Sequence, residues 1–249
     1  MADPPDPAAY PQAIHVRPTA PLAERVLLPG DPGRALALAQ TLLQKPLMFN
    51  HHRGLWGYTG PAHTDGEPLT IQATGIGGPS AAIVLTELIA LGARRLIRVG
   101  TCGALAPGLA LGDLVVARES VCADGTSRAL SAGPRVAADP ALAEALVRAG
   151  RSRIGSSTRP VHAGAIVSVD LFYDDSDSRS SRHPADVLAI EMEAATLFAV
   201  GASASVPVAC LLVVSDTFDA FGARTRIDDD SLLAAAETMG AVAVAALSD

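Results

Sequence analysis

The sequence predicts an α/β fold: one domain of three α/β/α layers around a central mixed, mainly parallel sheet. Two observations carry this expectation. Short segments rich in β-branched residues alternate with longer segments of helical periodicity. Several short segments, "VPVACLLVV" above all, are apolar almost throughout, as strands buried on both faces are. The composition agrees, since 249 residues with 49% apolar and 18% charged side chains can fill one large core.

Taken in order, 25–28 reads as a strand ending at "PGDPGR", with a helix over 34–43. "LTIQATGIGGPS" reads as a strand running into Gly-Gly-Pro-Ser, where Pro79 suits the first turn of a helix. That helix, "SAAIVLTELIALGA", stops near Gly92. A strand over 96–99 follows and carries Arg98, then breaks into the glycine turn "GTCG". "GDLVVAR" is a further strand. "DPALAEALVRAG" is a helix with Asp139 as N-cap and Pro140 at its first position. "VHAGAIVSV" and "VPVACLLVV" are strands, and "EMEAATLFAVGA" and "DDSLLAAAETMGAVAVAAL" are helices. No repeat or linker interrupts the pattern. Residues 13–249 are therefore expected as one domain, and the acidic, Pro-rich 1–12 as a flexible tail.

The net charge of −7 comes without any block of like charges, which argues against a general nucleic-acid or anionic-membrane surface. Lys45 is the only lysine beside 18 arginines, so an arginine by itself is a weak functional signal. Cys102, Cys122 and Cys210 have no C-x-x-C spacing, so neither a metal site nor a disulfide framework is expected, and a reducing cytoplasm fits. The N-terminus has no basic and apolar signal-peptide pattern. No apolar run is read as approaching the roughly 20 residues of a membrane span.

In open α/β sheets, ligands collect beyond the carboxyl ends of the strands. The stretches expected there are Gly30-Asp31-Pro32-Gly33-Arg34, Gly75-Ile76-Gly77-Gly78, Gly100-Thr101-Cys102-Gly103, Asp170-Leu171-Phe172-Tyr173, Glu191-Met192-Glu193 and Ser215-Asp216. Glycines, arginines, a hydroxyl, an aromatic ring and carboxylates thus converge on one edge. Neither G-x-G-x-x-G nor G-x-x-x-x-G-K-[ST] occurs, so dinucleotide binding and P-loop hydrolysis have no motif. Each glycine cluster can offer backbone N–H groups to an anion, and each reads equally well as a tight turn. Arg98 reads as a solvated edge cation or as an anion ligand.

The motifs "PGDPGR", "RVGTCGAL", "VDLFY", "EMEAA" and "VVSD", in this order over about 15–216, resemble the nucleoside phosphorylase family. The bacterial hexameric purine branch is nearest and the uridine phosphorylases next. The resemblance implies cleavage of a nucleoside's N-glycosidic bond by inorganic phosphate, giving free base and pentose 1-phosphate. It implies a phosphate site of the Gly30 N–H, Arg34, Arg98 and Thr101, with Arg53 of "HHRGLWG" reaching a neighbour's phosphate. Arginine suits a phosphate dianion because its donors are charged and bidentate. Cys102, Gly103 and Ser215 would line the nucleoside site, Phe172 would pack on the base, and Glu191, Met192 and Glu193 would hold the ribose. His15 would cap the 5′-hydroxyl from a neighbouring subunit. Asp216 would be the catalytic acid at purine N7, a carboxyl with a raised pKa, assisted by Arg224 or Arg226; the choice between the two stays open. Blander readings stand beside these: Glu191 as an acidic helix start, Phe172 as core, His15 and Arg53 as surface residues. "DDSDSR" after "VDLFY" lacks the Gln-x-Arg element of uridine phosphorylases and favours the purine branch. Uridine phosphorolysis remains the alternative. Arg34 and Arg98 weigh against a hydrolytic nucleosidase, and Asp216 with Glu193 against a non-catalytic binding module. The resemblance further implies no cofactor or metal, phosphate as co-substrate, no nucleic-acid or membrane partner, and a cytoplasmic homo-oligomer with shared sites, a dimer at least and a hexamer by family expectation.

Overall fold

The computed structural model describes residues 13–154, 160–173, 184–219 and 223–248. The expected tail over 1–12 and the "DDSDSR" stretch at 174–179 lie outside the described residues. In chain order the elements are β1 (Arg25–Leu28), α1 (Pro32–Leu42), β2 (Leu47–Asn50), β3 (Gly57–Pro61), β4 (Pro68–Gln72), α2 (Gly78–Leu91), β5 (Arg95–Ala104), β6 (Leu114–Cys122) and α3 (Gly125–Ala129). They continue with β7 (Arg135–Ala137), α4 (Pro140–Ile154), β8 (Val161–Ser168), β9 (Val187–Glu191), α5 (Ala194–Ala204), β10 (Val208–Phe218), β11 (Arg224–Arg226) and α6 (Asp229–Ser248). The fold is mixed α/β with one central mixed sheet.

The helices start and stop where capping chemistry says they should. Asp31 accepts from the Gly33 N–H at 2.8 Å to open α1, and Asp139 accepts from the Leu142 N–H at 2.8 Å to open α4. Gly92 takes the left-handed conformation, φ 116°, that ends α2. The helices pack mainly in two groups, α2 with α3 and α5, and α1 with α6 and α4. The larger apolar cluster includes Val16 and Leu247, and a smaller one forms around Ala165, Val167 and Val187.

Strand β5 organises the sheet. It pairs in parallel with β1 and with β10, while its end pairs antiparallel with β9. β10 pairs β6, β6 pairs β8 and β8 pairs β9, so these five strands close into a ring. β4, β3 and β2 extend the sheet from β1. On one edge of β5, β1 leaves at Arg98 and β9 arrives only at Gly103. Among the described residues, no strand pairs with 99–102 on that side, and this gap is where the site forms.

Several expectations are corrected. The sheet is not mainly parallel by pairing: five described pairings are parallel and six antiparallel, although the parallel ones include the two longest ladders. "GTCG" is not a turn, because β5 continues through it in register with β10. Its glycines clear space instead: a Cβ on Gly100 would lie 2.6 Å from Arg98 Nη2, and one on Gly103 would lie 3.0 Å from Phe218. "EM" of "EMEAA" is not helical, since Glu191 ends β9 and α5 starts at Ala194. α6 is long and apolar enough to cross a membrane by length and composition, contrary to the expectation of no such run, but half of that window is buried within the fold.

Candidate active site

A cavity of about 990 Å³ opens at the gap beside β5. Its wall includes every residue assigned to the site from the sequence except His15.

Arg98 occupies the floor and is 3% exposed. Its Nε donates to Glu191 Oε2 at 3.0 Å and its Nη2 pairs with Glu193 Oε2 at 2.5 Å. Burial works against the charge, but Glu193 and Glu191 overcome it and raise the guanidinium pKa above its ordinary value. The third nitrogen, Nη1, is buried and has no partner. It lies 3.9 Å from where a Cβ on Gly30 would stand, at the cavity wall. A buried unpaired donor on a cation is costly, and an anion at this wall would satisfy it. Arg34, from the first turn of α1, lines the same corner. Burial lowers its pKa; Asp31 opposes that, and the charges of Arg98 and Arg226 add to it. An anion between these guanidiniums would relieve their repulsion. Thr101 lines the same wall.

Glu191 and Glu193 divide their functions. Glu191 accepts from Arg98, from the N–H groups of Glu193 at 2.9 Å and Ala194 at 3.0 Å, and from the Ser168 hydroxyl. Its acceptor capacity is spent on opening α5 and fixing Arg98, which agrees with the helix-start reading. Glu193 accepts from the Gly77 N–H at 2.5 Å and pairs with Arg98. Burial pushes its carboxyl pKa up, with Arg98 opposing.

Asp216 lies on β10 inside the strand. A bulge between Val214 and Asp216 breaks strict alternation, so Ser215 and Asp216 both line the cavity. Ser215 Oγ donates to Asp216 Oδ2 at 2.7 Å, Arg224 Nε to Oδ1 at 2.7 Å, and Arg226 Nη1 to both oxygens at 3.2 Å. Both candidate arginines therefore reach the carboxylate. Burial would raise its pKa, but the Arg224 and Ser215 hydrogen bonds and the two cationic charges outweigh it and hold it below the ordinary range. The raised pKa expected for a catalytic acid is thus corrected: two guanidiniums prevail over partial burial. Phe172 lines the wall nearby, with Arg224 Cζ 4.4 Å from its ring centroid. Phe172 is 45% exposed, which excludes the core reading.

The phosphorylase superfamily model matches residues 24–248, nine-tenths of the sequence. The chain belongs to the phosphorylase superfamily. Among its relatives, the purine nucleoside phosphorylase DeoD-type of Jannaschia sp. (strain CCS1) is 39% identical over 203 residues, covering 78% of this chain and 82% of the relative. The protein of the same name from Clostridium novyi (strain NT) is 37% identical over 198 residues, covering 79% and 83%. That from Geobacillus kaustophilus (strain HTA426) is 35% identical over 199 residues, covering 80% and 83%.

Arg53 stands on the wall of its own chain's cavity, carried by a short 3₁₀ turn, His52–Gly54. It adopts φ 58°, a left-handed conformation unusual for a residue with a side chain. Two fully buried amides hold the turn: Asn50 Nδ2 and Gln72 Nε2 both donate to the Leu55 carbonyl, at 2.6 and 2.9 Å. His15 is away from this cavity and pairs through Nδ1 with Glu87 Oε1 at 2.7 Å, on α2. Sequence reasoning missed Ala123, Arg128, Val169, Ile190 and Phe218 on the wall. Val169 and Ile190 were within reach, as each directly precedes a singled-out stretch. Arg128 gave no signal, because arginine is this chain's ordinary surface cation.

Proposed function

We propose that this chain is a pentosyltransferase that splits the N-glycosidic bond of purine nucleosides with inorganic phosphate. The single observation that carries this is the unpartnered Nη1 of buried Arg98, aimed at the wall shared with Gly30, Arg34 and Thr101. Glu191 and Glu193 hold the guanidinium's other face, so this nitrogen stays free for phosphate. The relatives' names support purine as the base.

In this reading a phosphate oxygen attacks C1′ as the C1′–N9 bond breaks, and the bonding pair leaves with the purine. Arg34 and Arg98 hold the nucleophile by charge-assisted bonds. Glu193 and Met192 place the ribose, and Phe172 stacks on the base. Asp216 delivers a proton to N7, a contribution of about 10² to 10⁴ in rate for a general acid. The reading takes residues 13–249 as one three-layer domain, a homo-oligomer with His15 and Arg53 serving neighbouring sites, phosphate as co-substrate with no cofactor, and the cytoplasm as its setting.

The test is base release over a panel of purine and pyrimidine nucleosides, with and without phosphate. Release from inosine, guanosine or adenosine that requires phosphate is expected. Full-rate release in phosphate-free buffer would sink the phosphorylase assignment, and release from uridine alone would move it to pyrimidines.

A further inference from the structure

Ser168 ends β8, is fully buried and does not line the cavity. The parallel register of β8 with β9 sets it opposite Glu191, and a slip of one residue would turn its side chain to the other face of the sheet. Its hydroxyl donates its one hydrogen to Glu191 Oε1 and accepts from the Ala195 N–H at 2.9 Å. Ser120 on β6, also fully buried, has its Oγ 3.0 Å from Ser168 Oγ. Because the Ser168 hydrogen is committed, Ser120 is the donor there, and the hydroxyl of Ser168 is fully used. Apart from Ser168, Glu191 Oε1 accepts from the Ala194 N–H at 3.0 Å, a donor it shares with Oε2. Oε2 in turn holds Arg98 Nε, while Glu193 holds Arg98 Nη2. A guanidinium is a rigid planar fork, so two fixed nitrogens set where the third, Nη1, aims. Phosphorolysis as described above uses neither serine.

We propose that Ser168 is a positioning residue for phosphate: acting through Glu191, it fixes the orientation of Arg98 that aims Nη1 at the wall shared with Gly30. This rests on the phosphorylase reading above. Glu193 is the other anchor of Arg98, and in that reading it also meets the ribose. Glu191 is then the anchor whose bonds do not change when substrate arrives. Without the Ser168 hydroxyl, its Oε1 keeps only the shared Ala194 N–H. The carboxylate can turn about its Cγ–Cδ bond, Arg98 Nε follows it, and Nη1 swings off the phosphate position. In a buried, low-dielectric cluster each of these bonds strengthens its neighbours, so a hydroxyl one step behind the carboxylate is felt at the guanidinium.

Calorimetric titration of the full chain with inorganic phosphate compares wild type with Ser168→Ala, Ser168→Cys and Ser120→Ala, beside thermal melts and steady-state kinetics. Ser168→Ala should bind phosphate about tenfold more weakly, the low end for one hydrogen bond to a charged group, because the loss is passed on through Glu191. Its phosphate KM should rise in step. Its nucleoside KM should stay near wild type, since Glu193 keeps its bonds to Gly77 and Arg98. Ser168→Cys keeps the shape with a weaker donor and should fall between the two. Ser120→Ala removes a buried hydroxyl from the same cluster but leaves the Ser168–Glu191 bond in place. Its Tm should drop while phosphate binding shifts far less, a contrast that a merely structural cluster would not give. Phosphate binding unchanged in Ser168→Ala, or weakened as much in Ser120→Ala, overturns the proposal and leaves phosphorolysis intact. If Ser168→Ala does not fold, Ser168→Cys carries the comparison; failure of both to fold assigns Ser168 to stability and overturns the proposal as well. A wild-type chain that binds no phosphate and releases no base with it overturns the phosphorylase reading, and this proposal with it.

Discussion

Arg34 and Arg98 share one corner of the cavity but differ in what else depends on them. Arg98 neutralises two buried carboxylates, whereas Arg34 makes no ion pair among the described residues. Arg34→Ala should therefore raise the KM for phosphate by at least about tenfold, one lost charge-assisted bond, with little change in Tm. Arg98→Ala should weaken phosphate binding and also unfold early, because an uncompensated buried charge costs about 3–5 kcal/mol. Calorimetric melts beside phosphate-dependent kinetics separate the two; an equal Tm loss in both variants contradicts this division. Asp216 has a pH consequence. A carboxyl depressed in the fold adds stability that is fully present above its unfolded pKa, about 3.9, and is lost as pH falls through the lower folded value. The stability advantage of wild type over Asp216→Asn, from urea unfolding, should be larger at pH about 6 than at pH about 3. A difference that does not change with pH would mean the carboxylate is not held by Arg224 and Arg226 in solution.

At the scale of elements, the turn around Arg53 stores strain for the sake of where it points. A left-handed conformation costs a residue with a Cβ about 1–2 kcal/mol relative to what glycine pays, and the Asn50 and Gln72 amides fix the Leu55 carbonyl that follows the turn. Arg53→Gly should raise stability by about 1 kcal/mol while weakening phosphate binding. Chemical denaturation and phosphate KM together check it, and a destabilised Gly variant would show that the turn is not strained. Helices α1, α2 and α4 were legible because caps and 3.6-residue periodicity are local. β2, β3, β7 and β11 were not, because they are short and their side chains do not alternate cleanly. "GTCG" and "SD" misled for one reason: a glycine or a polar pair inside a strand looks like its end when the partner strand is unknown.

For the whole molecule, two apolar residues of the cavity wall are strongly exposed: Ile76 is 80% exposed and Leu171 68%. His15 does not line its own chain's cavity, so the role the resemblance gives it calls for a second copy. Mixing inactive His15→Ala and Asp216→Ala variants should restore activity as subunits exchange, since some hybrid sites carry both wild-type residues. A fully active monomer by light scattering contradicts shared sites. The sequence alone determined which chemical groups are available: two phosphate-type arginines, the "EME" carboxylates, an aromatic, and an aspartate in a strongly apolar strand. Their order along the chain pointed to phosphorolysis before any coordinates. Only the tertiary structure decided that Arg98 keeps one nitrogen free, that Glu191 is spent on holding it, and that Asp216 sits between two arginines. Those outcomes depend on distances between strands far apart in sequence, where a shift of one residue in register decides which charges meet, and no local pattern encodes that.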